Sequence, residues 1–398
     1  MANIILITTH YPPIKSIASN RMIAFSKYLT EMGHNLFVIT METKESKLTK
    51  RVFRFQDNDK IKPFDTGIKE NFIKHYVKCG LNILQSNIHL YSNSWVNSVT
   101  KKAGDIIEEE NIDVIITSYP RIDTLLVGYK IKKLYPDIKW IMDMRDAVWT
   151  PNFGGIVRKK LLKITNMCLK ECDAVTTVSY VQATQYNHLT DREILCEVVR
   201  NGYDFEAKDI ARTNGGTFNI VYTGNFYGAR SPRNFLKAYE KCIRKYKIED
   251  IRFQIIGNAS VIRMNDDVKR LVQELPHMDY MDLITYCAEN ADLLLVVIPK
   301  SRESGVYTGK LFDYIGIGRP ILGCVPQNDV AAELIEQAGN GYLAENEDIN
   351  AIENAIYRAY MDWKNGSARH INKRVQESCH RRVEVKKLGR VIEKLVIR

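Results

Sequence analysis

The chain alternates short apolar runs with amphipathic stretches from one end to the other. It opens on Asn3–Thr9, the length of one strand. Met22, Phe25 and Leu29 then recur at helical spacing across Arg21–Glu31, and Gly33 ends that helix. Leu36–Thr40 predicts a second strand, and Asp113–Ser118, Trp140–Asp143, Ala174–Ser179 and Val198–Arg200 continue the series. Strands that alternate with helices need crossover connections, so the pattern predicts a parallel sheet covered by helices on both faces.

The series then restarts. Asn219–Thr223 ends in Gly224, Asn234–Lys245 is helical, and Arg252–Ile256 ends in Gly257. Leu293–Ile298, Ile321–Val325 and Gly341–Leu343 follow. Between the two series, Asp209–Thr217 is polar and contains Asn214-Gly215-Gly216, as a linker would. A last helix from about Val383 carries the apolar stripe Val385, Leu388, Val391, Ile392 and Leu395. The predicted fold class is therefore α/β, with two Rossmann-like doubly wound domains facing a central cleft. The domains are expected at 1–205 and 206–375, with 376–398 a helix crossing back to the first. Ligands of such sheets bind outside the carboxyl ends of the strands.

Composition narrows the class without naming a chemistry. In 398 residues, 45% are hydrophobic and 26% charged, which argues against extended disorder. No apolar run approaches the roughly 18 residues of a spanning helix. The opening run turns polar at Thr8, too early for a secretory signal. The eight cysteines are scattered, Cys168 and Cys172 alone being close, and they read as reduced thiols of a cytoplasmic protein. The net charge of +10 suits a phosphate-bearing ligand or an anionic surface. Acidic residues are interspersed and no nucleic-acid motif appears, so no nucleic-acid partner is expected.

Two loops carry candidate chemistry. In Tyr222-Thr-Gly224-Asn-Phe-Tyr-Gly228-Ala-Arg230-Ser231-Pro232, a strand ends, glycines relax the turn, and a helix opens with Ser231 as N-cap and Pro232 as its first residue. Its free N–H groups beside Arg230 suit a phosphate, and a tight turn with a solvated arginine is the plainer alternative. In Glu303-Ser-Gly305-Val-Tyr307-Thr308-Gly309-Lys310-Leu-Phe-Asp313, a glycine-rich loop leads into a helix with Lys310 and Asp313 one turn apart. The lysine can serve a diphosphate and the carboxylate can bind hydroxyls; a surface ion pair is the alternative.

With these pieces in order, the chain resembles the GT-B glycosyltransferases, in particular the retaining enzymes of family four and their bacterial surface-polysaccharide branch. The resemblance spans nearly the whole chain. It includes His10-Tyr-Pro-Pro13, Arg21, Tyr28–Thr40, Asp113–Pro120, Asp143-Met-Arg145-Asp146-Ala-Val-Trp149, Asp173–Ser179 and Val199–Asp204. It implies a nucleotide diphosphate sugar held by the C-terminal domain and an acceptor on the N-terminal one. Arg230 stands where the family has a phosphate-binding lysine, and Asp313 where the second glutamate of an E-x7-E motif binds ribose. Gly257 and Asn258 stand where the loop borders the base. Gly224, Lys310 and the loop from Glu303 through Gly305, Tyr307, Thr308 and Gly309 stand where sugar and phosphates are gripped. His10, Ala18, Ser19 and Arg21 belong to the acceptor side and N-terminal loop, the small residues Ala18 and Ser19 replacing paired glycines.

The chain departs from that pattern in four places. Gly305 occupies the first motif glutamate's position, with Glu303 as a substitute. Asn225 stands where many members have an arginine. The usual paired glycines are missing from the N-terminal loop. Arg145-Asp146 replaces a His-Asp pair. The expected reaction is a retaining hexosyl or N-acetylhexosaminyl transfer to a polyprenyl-diphosphate-linked glycan, in O-antigen or capsule synthesis. Fixed cations stabilise the departing phosphate, and the phosphate takes the acceptor's proton on the same face. Asp143 or Asp146 would orient the acceptor hydroxyl, with Arg145 and Glu303 beside them. No cofactor or metal is expected: Asp57-Asn-Asp59 reads as a solvated turn, and Arg230 with Lys310 can neutralise the diphosphate.

The first 200 residues hold 28 Lys and Arg against 21 Asp and Glu. Cations beside aromatic and apolar residues in Lys47–Phe55, Phe72–Trp95 and Val157–Lys163 suit peripheral binding to the cytoplasmic membrane face. A GT-B nucleotide-sugar 2-epimerase and a non-catalytic nucleotide-sugar-binding scaffold are the competing functions.

Overall fold

A computed structural model describes residues 1–12, 14, 16–40, 51–54, 91–149, 155–207, 215–226, 230–257, 269–300 and 304–397. The chain forms two units: Met1–Val199 with Val385–Arg398, and Arg200–Glu384. Each is built on a parallel sheet, as the alternating pattern requires.

In the first unit the described strands are β1 (Asn3–Ile7), β2 (Asn35–Thr40), β3 (Arg51–Arg54), β4 (Val114–Tyr119), β5 (Lys139–Met144), β6 (Ala174–Thr177) and β7 (Leu195–Val198). They lie in the order β3-β2-β1-β4-β5-β6-β7. Helices α1 (Ile17–Glu31), α2 (Asn93–Glu110), α3 (Ile122–Leu134), α4 (Gly155–Leu169) and α5 (Tyr180–His188) connect them. Ile5 and Ile7 of β1 enter one buried cluster with Trp140, Leu125 and Trp95, while Ile4 and Leu6 enter another with Met22, Phe25 and Val38. Successive side chains point to opposite faces, so a strand buried on both reads as one continuous apolar run.

In the second unit the strands are β8 (Phe218–Thr223), β9 (Ile251–Ile256), β10 (Val272–Leu275), β11 (Leu293–Val297), β12 (Ile321–Cys324) and β13 (Gly341–Ala344), in the order β10-β9-β8-β11-β12-β13. The helices are α6 (Arg233–Tyr246), α7 (Tyr280–Asn290), α8 (Gly309–Ile317), α9 (Val330–Ala338), α10 (Ile349–Lys364) and α11 (Lys373–Ser378). Leu293, Leu295 and Val297 face one core, and Leu294, Val296 and Ile298 the other.

The chain passes between the units at Val199/Arg200 and again at Glu384/Val385, within α12 (Arg381–Val396). Arg200 and Glu384 join these two crossings. The Arg200 guanidinium lies 2.9 Å from Glu384 Oε1, and its backbone N–H donates to Oε2 at 2.8 Å. Beyond the second crossing, Val385, Leu388, Val391 and Ile392 bury into the cluster of Ile4, Met22 and Val38. Tyr203 and Phe205, just after the first, pack into the second unit's core beside Ile315 and Leu311.

Three elements differ from expectation. β7 starts three residues earlier than the run at Val198–Arg200. β3 and β10 are strands that the pattern did not predict. The linker expected at Asp209–Thr217 lies mostly outside the described residues, as do Asp57, Asp59, most of Lys47–Phe55 and nearly all of Phe72–Trp95. Among the described residues, no helix is long and apolar enough to cross a membrane.

Candidate active site

In the second unit the strand order turns back between β8 and β11, and the loops leaving these strands frame the position where open parallel sheets bind ligands. Lys310, the second residue of α8, reaches back to the end of β8. Its Nζ donates to the Thr223 carbonyl at 2.6 Å and lies 3.6 Å from the centre of the Tyr222 ring. Tyr222 in turn stacks on Phe226 at 3.9 Å. Tyr314, fully buried on α8, accepts the Thr223 N–H at 3.0 Å and ties helix to strand.

The backbone here is drawn tight. Gly224 has φ +91° and Gly257 has φ +147°, and a Cβ on Gly257 would stand 2.5 Å from the Gly224 oxygen. Only glycine fits that approach of the β8 and β9 loops. The Gly224 N–H donates to the Ile256 carbonyl at 2.8 Å. The result is an open backbone floor next to the lysine.

Burial, and secondarily the like charge of Arg230, push the Lys310 ammonium down to about 7. An ammonium has three donors, and one is taken by Thr223, so an anion that accepted the others would restore its charge. Arg230, half-buried, is thereby close enough to share that anion. Thr308 sits at the N-cap of α8, buried, and its hydroxyl has no partner among the described residues. The first N–H groups of a helix are unsatisfied within it and favour negative charge. Before them, Gly305 N–H donates to Asp329 Oδ1 at 2.7 Å, which anchors the loop to the N-cap of α9. Tyr307 packs on Phe312, and burial pushes its phenol up to about 12 against the opposing charge of Arg200. Asp313 accepts a 2.6 Å hydrogen bond from the Tyr280 hydroxyl of α7. Burial raises its pKa, while Tyr280 and Arg381 act the other way.

The helix after Arg230 starts one residue later than expected: Pro232 is the N-cap of α6 and makes no side-chain cap. Ser231 keeps part of the expected role, its hydroxyl accepting the Arg233 N–H at 3.3 Å. Asn225 is exposed, and its carbonyl accepts the Tyr222 hydroxyl at 3.4 Å. Asn258 and Glu303 lie outside the described residues.

The first unit holds the other predicted residues, and here two expectations fail. Arg21 is not an acceptor-side group but a core cation, 3% exposed, paired with Asp143 at 2.6 Å. Asp143 is fully buried and also accepts from Ser118 at 2.9 Å and Thr176 at 2.8 Å. Burial opposes its charge, but Arg21 and the hydroxyls hold its pKa below the ordinary value. With both oxygens engaged by Arg21, Ser118 and Thr176, it does not orient an acceptor hydroxyl. Ala18 and Ser19 lie buried in the first turn of α1, where Ser16 caps the helix and bonds the Ser19 hydroxyl at 3.0 Å.

Asp146 is different. Its carboxylate is solvent-open, makes no hydrogen bond among the described residues, and is densely surrounded by protein. That crowding raises its pKa; Arg145 lowers it and Asp143 raises it further. Arg145 does not bond Asp146. Its Nε donates to the Tyr119 carbonyl at 2.6 Å, and its guanidinium lies 3.4 Å from His10 Nδ1. A guanidinium only donates, so His10 Nδ1 is the acceptor in that contact and Nε2 carries the ring proton. Arg145, His10 and Asp146 thus cluster at the carboxyl ends of β1, β4 and β5.

Sequence reasoning missed Tyr280, Tyr314 and the stacking role of Phe226. Tyr280 lies 33 residues before its partner, and no local spacing signals the contact.

The comparisons follow this geometry. Residues 217–362 match the family model described as Glycosyl transferases group 1. No curated protein matches the chain by sequence. Among solved structures, the chain is similar to a glycosyltransferase from Rickettsia africae ESF-5, with TM-score 0.67, 14% identity, and 99% and 98% of the two chains covered. It is similar to a sucrose-phosphate synthase from Thermosynechococcus elongatus, with TM-score 0.62, 15% identity and 99% of each chain covered. It is also similar to a lipopolysaccharide outer core galactosyltransferase, with TM-score 0.61, 12% identity, and 98% and 99% covered. The chain therefore has the GT-B fold of two Rossmann-like domains, and its second unit carries a glycosyl transferases group 1 domain.

Proposed function

We propose that the protein is a retaining glycosyltransferase that moves a hexosyl or N-acetylhexosaminyl group from a nucleotide diphosphate sugar to a lipid-linked glycan in surface-polysaccharide synthesis. The observation that carries the donor half is the Lys310 ammonium, held on Tyr222 beside Arg230 and the open N-terminus of α8. Charge that develops on a departing diphosphate is stabilised best by fixed donors in a water-poor site, and these donors are fixed before the ligand arrives. Two side-chain cations can do this without a metal. The family match over 217–362 supports the same site.

For the acceptor half, the Arg145–His10–Asp146 cluster supplies an accessible carboxylate and an imidazole with an exposed-edge donor. Asp146 orients the attacking hydroxyl, and the leaving phosphate takes its proton on the same face, so no strong base is needed. The similarity to a lipopolysaccharide galactosyltransferase supports a glycan acceptor. For the membrane, α4 presents Arg158, Lys159 and Lys163 exposed, next to an Ile156 that is 60% exposed. Such a face suits an anionic bilayer surface.

The donor reading is tested by melting the protein with UDP-, GDP- and dTDP-sugars. One donor class is expected to raise the melting temperature of the wild type by several degrees. Arg230→Ala and Lys310→Ala should each remove most of that shift. Stabilisation by no nucleotide sugar, or stabilisation untouched by both variants, counts against the site. Flotation with anionic liposomes tests the membrane reading separately: the wild type should rise with the lipid, and a protein lacking the three α4 cations should not.

A further inference from the structure

The Tyr280–Asp313 pair is left over from the description of the cations. Asp313 sits three residues after Lys310 on α8, so the two side chains share a face about 5–6 Å apart at their Cβ atoms. The Tyr280 hydroxyl donates to Asp313 Oδ1 at 2.6 Å, a short charge-assisted bond. Oδ2 has no hydrogen bond among the described residues. Tyr280 begins α7, 37% exposed, with Asp279 as N-cap, so its ring is set by a different element from the carboxylate it holds.

We propose that Tyr280 is a positioning residue that locks the Asp313 carboxylate for bidentate or shared acceptance from a vicinal diol, making the site selective for a ribonucleotide over a deoxyribonucleotide donor. The inference rests on the reading of Lys310 and Arg230 as a diphosphate site. An anion fixed at Lys310 puts the sugar of a nucleoside diphosphate one helical turn further along α8, beside Asp313. An aspartate has a short stem with two rotatable bonds, and a free carboxylate would sample several orientations. A phenol bonded to one oxygen fixes both. The second oxygen then offers two lone-pair directions, which suits the adjacent 2′- and 3′-hydroxyls of ribose. With the 2′-hydroxyl gone, a half-buried carboxylate loses a donor that water replaces poorly, and such sites discriminate by missing hydrogen bonds.

The test is calorimetric titration with UDP, GDP and their 2′-deoxy counterparts, and with inorganic pyrophosphate, for wild type, Tyr280→Phe and Asp313→Asn. The wild type should bind one ribonucleotide about tenfold tighter than its 2′-deoxy form. Tyr280→Phe should bring that ratio to within about twofold, chiefly by weakening the ribonucleotide, and leave pyrophosphate binding unchanged. Asp313→Asn, which keeps the shape and folds independently of the phenol, should do the same. A Tyr280→Phe protein that keeps the wild-type ratio overturns the positioning role. Equal binding of ribo and deoxy forms by the wild type overturns the selectivity while leaving the diphosphate site standing. Binding of no nucleotide and no pyrophosphate overturns the diphosphate reading and this inference with it.

Discussion

Arg21→Leu is expected to destabilise the first unit by about 3–5 kcal/mol, the usual effect of leaving one member of a buried ion pair without the other. Asp143 is completely inaccessible, and Ser118 and Thr176 alone cannot replace a guanidinium bonded to both oxygens. Adding Asp143→Asn to Arg21→Leu should recover part of the loss, because an amide needs no counter-charge. The pH dependence has a definite sign. Asp143 has its folded-state pKa lowered, so its contribution is fully present above the unfolded carboxyl pKa of about 4 and disappears as pH falls through the folded value. Urea titration at pH 7 and at pH 3 reads both effects. A variant that unfolds with the wild-type midpoint at pH 7 refutes the assignment of Arg21 to the core.

The second large effect concerns Lys310. With a free-state pKa of about 7, the ammonium is partly discharged at pH 8, and a bound diphosphate must recharge it. Affinity for a nucleotide sugar should therefore be highest below pH 7 and fall up to about tenfold per pH unit above it. A nucleotide sugar is the right probe because its diphosphate is esterified at both ends and does not titrate there. Titration at pH 8 in two buffers of different ionisation heat should show proton uptake on binding. In the free protein the sign reverses. The unfolded chain binds this proton more tightly than the folded one, so the group's contribution to stability rises with pH between about 7 and 10. Lys310→Arg, whose charge persists at every accessible pH, should bind with a flat profile over the same range. A wild-type affinity that does not change between pH 6.5 and 8.5 contradicts the site.

What could be read from the sequence follows the position of each strand in its sheet. β1, β4, β5, β8 and β11 are covered on both faces and appear as continuous apolar runs. The strands missed or displaced are β3, β10 and β7, and each lies at a sheet edge. β10 is Val-Gln-Glu-Leu with no residue fully buried, and β7 is Leu-Cys-Glu-Val, half-buried throughout. An edge strand needs less apolar surface, so its pattern fades into the adjacent loop. Lys310 and Asp313 were legible because their relation is local, one helical turn. Arg21 was misread for the opposite reason. A cation in an amphipathic helix reads as solvated unless its counter-charge is visible, and Asp143 lies 122 residues away. Tyr280 was invisible on the same grounds.

The double crossing of the chain at Arg200 and Glu384 has a consequence for synthesis. The second unit is continuous in sequence, and the first is not. During translation all of residues 200–384 must leave the ribosome before Val385, Leu388, Val391 and Ile392 can reach the cluster around Ile4, Met22 and Val38. The unit made first is thus the unit finished last. Until then one face of its sheet has its apolar side chains incompletely covered, a surface suited to a holding chaperone.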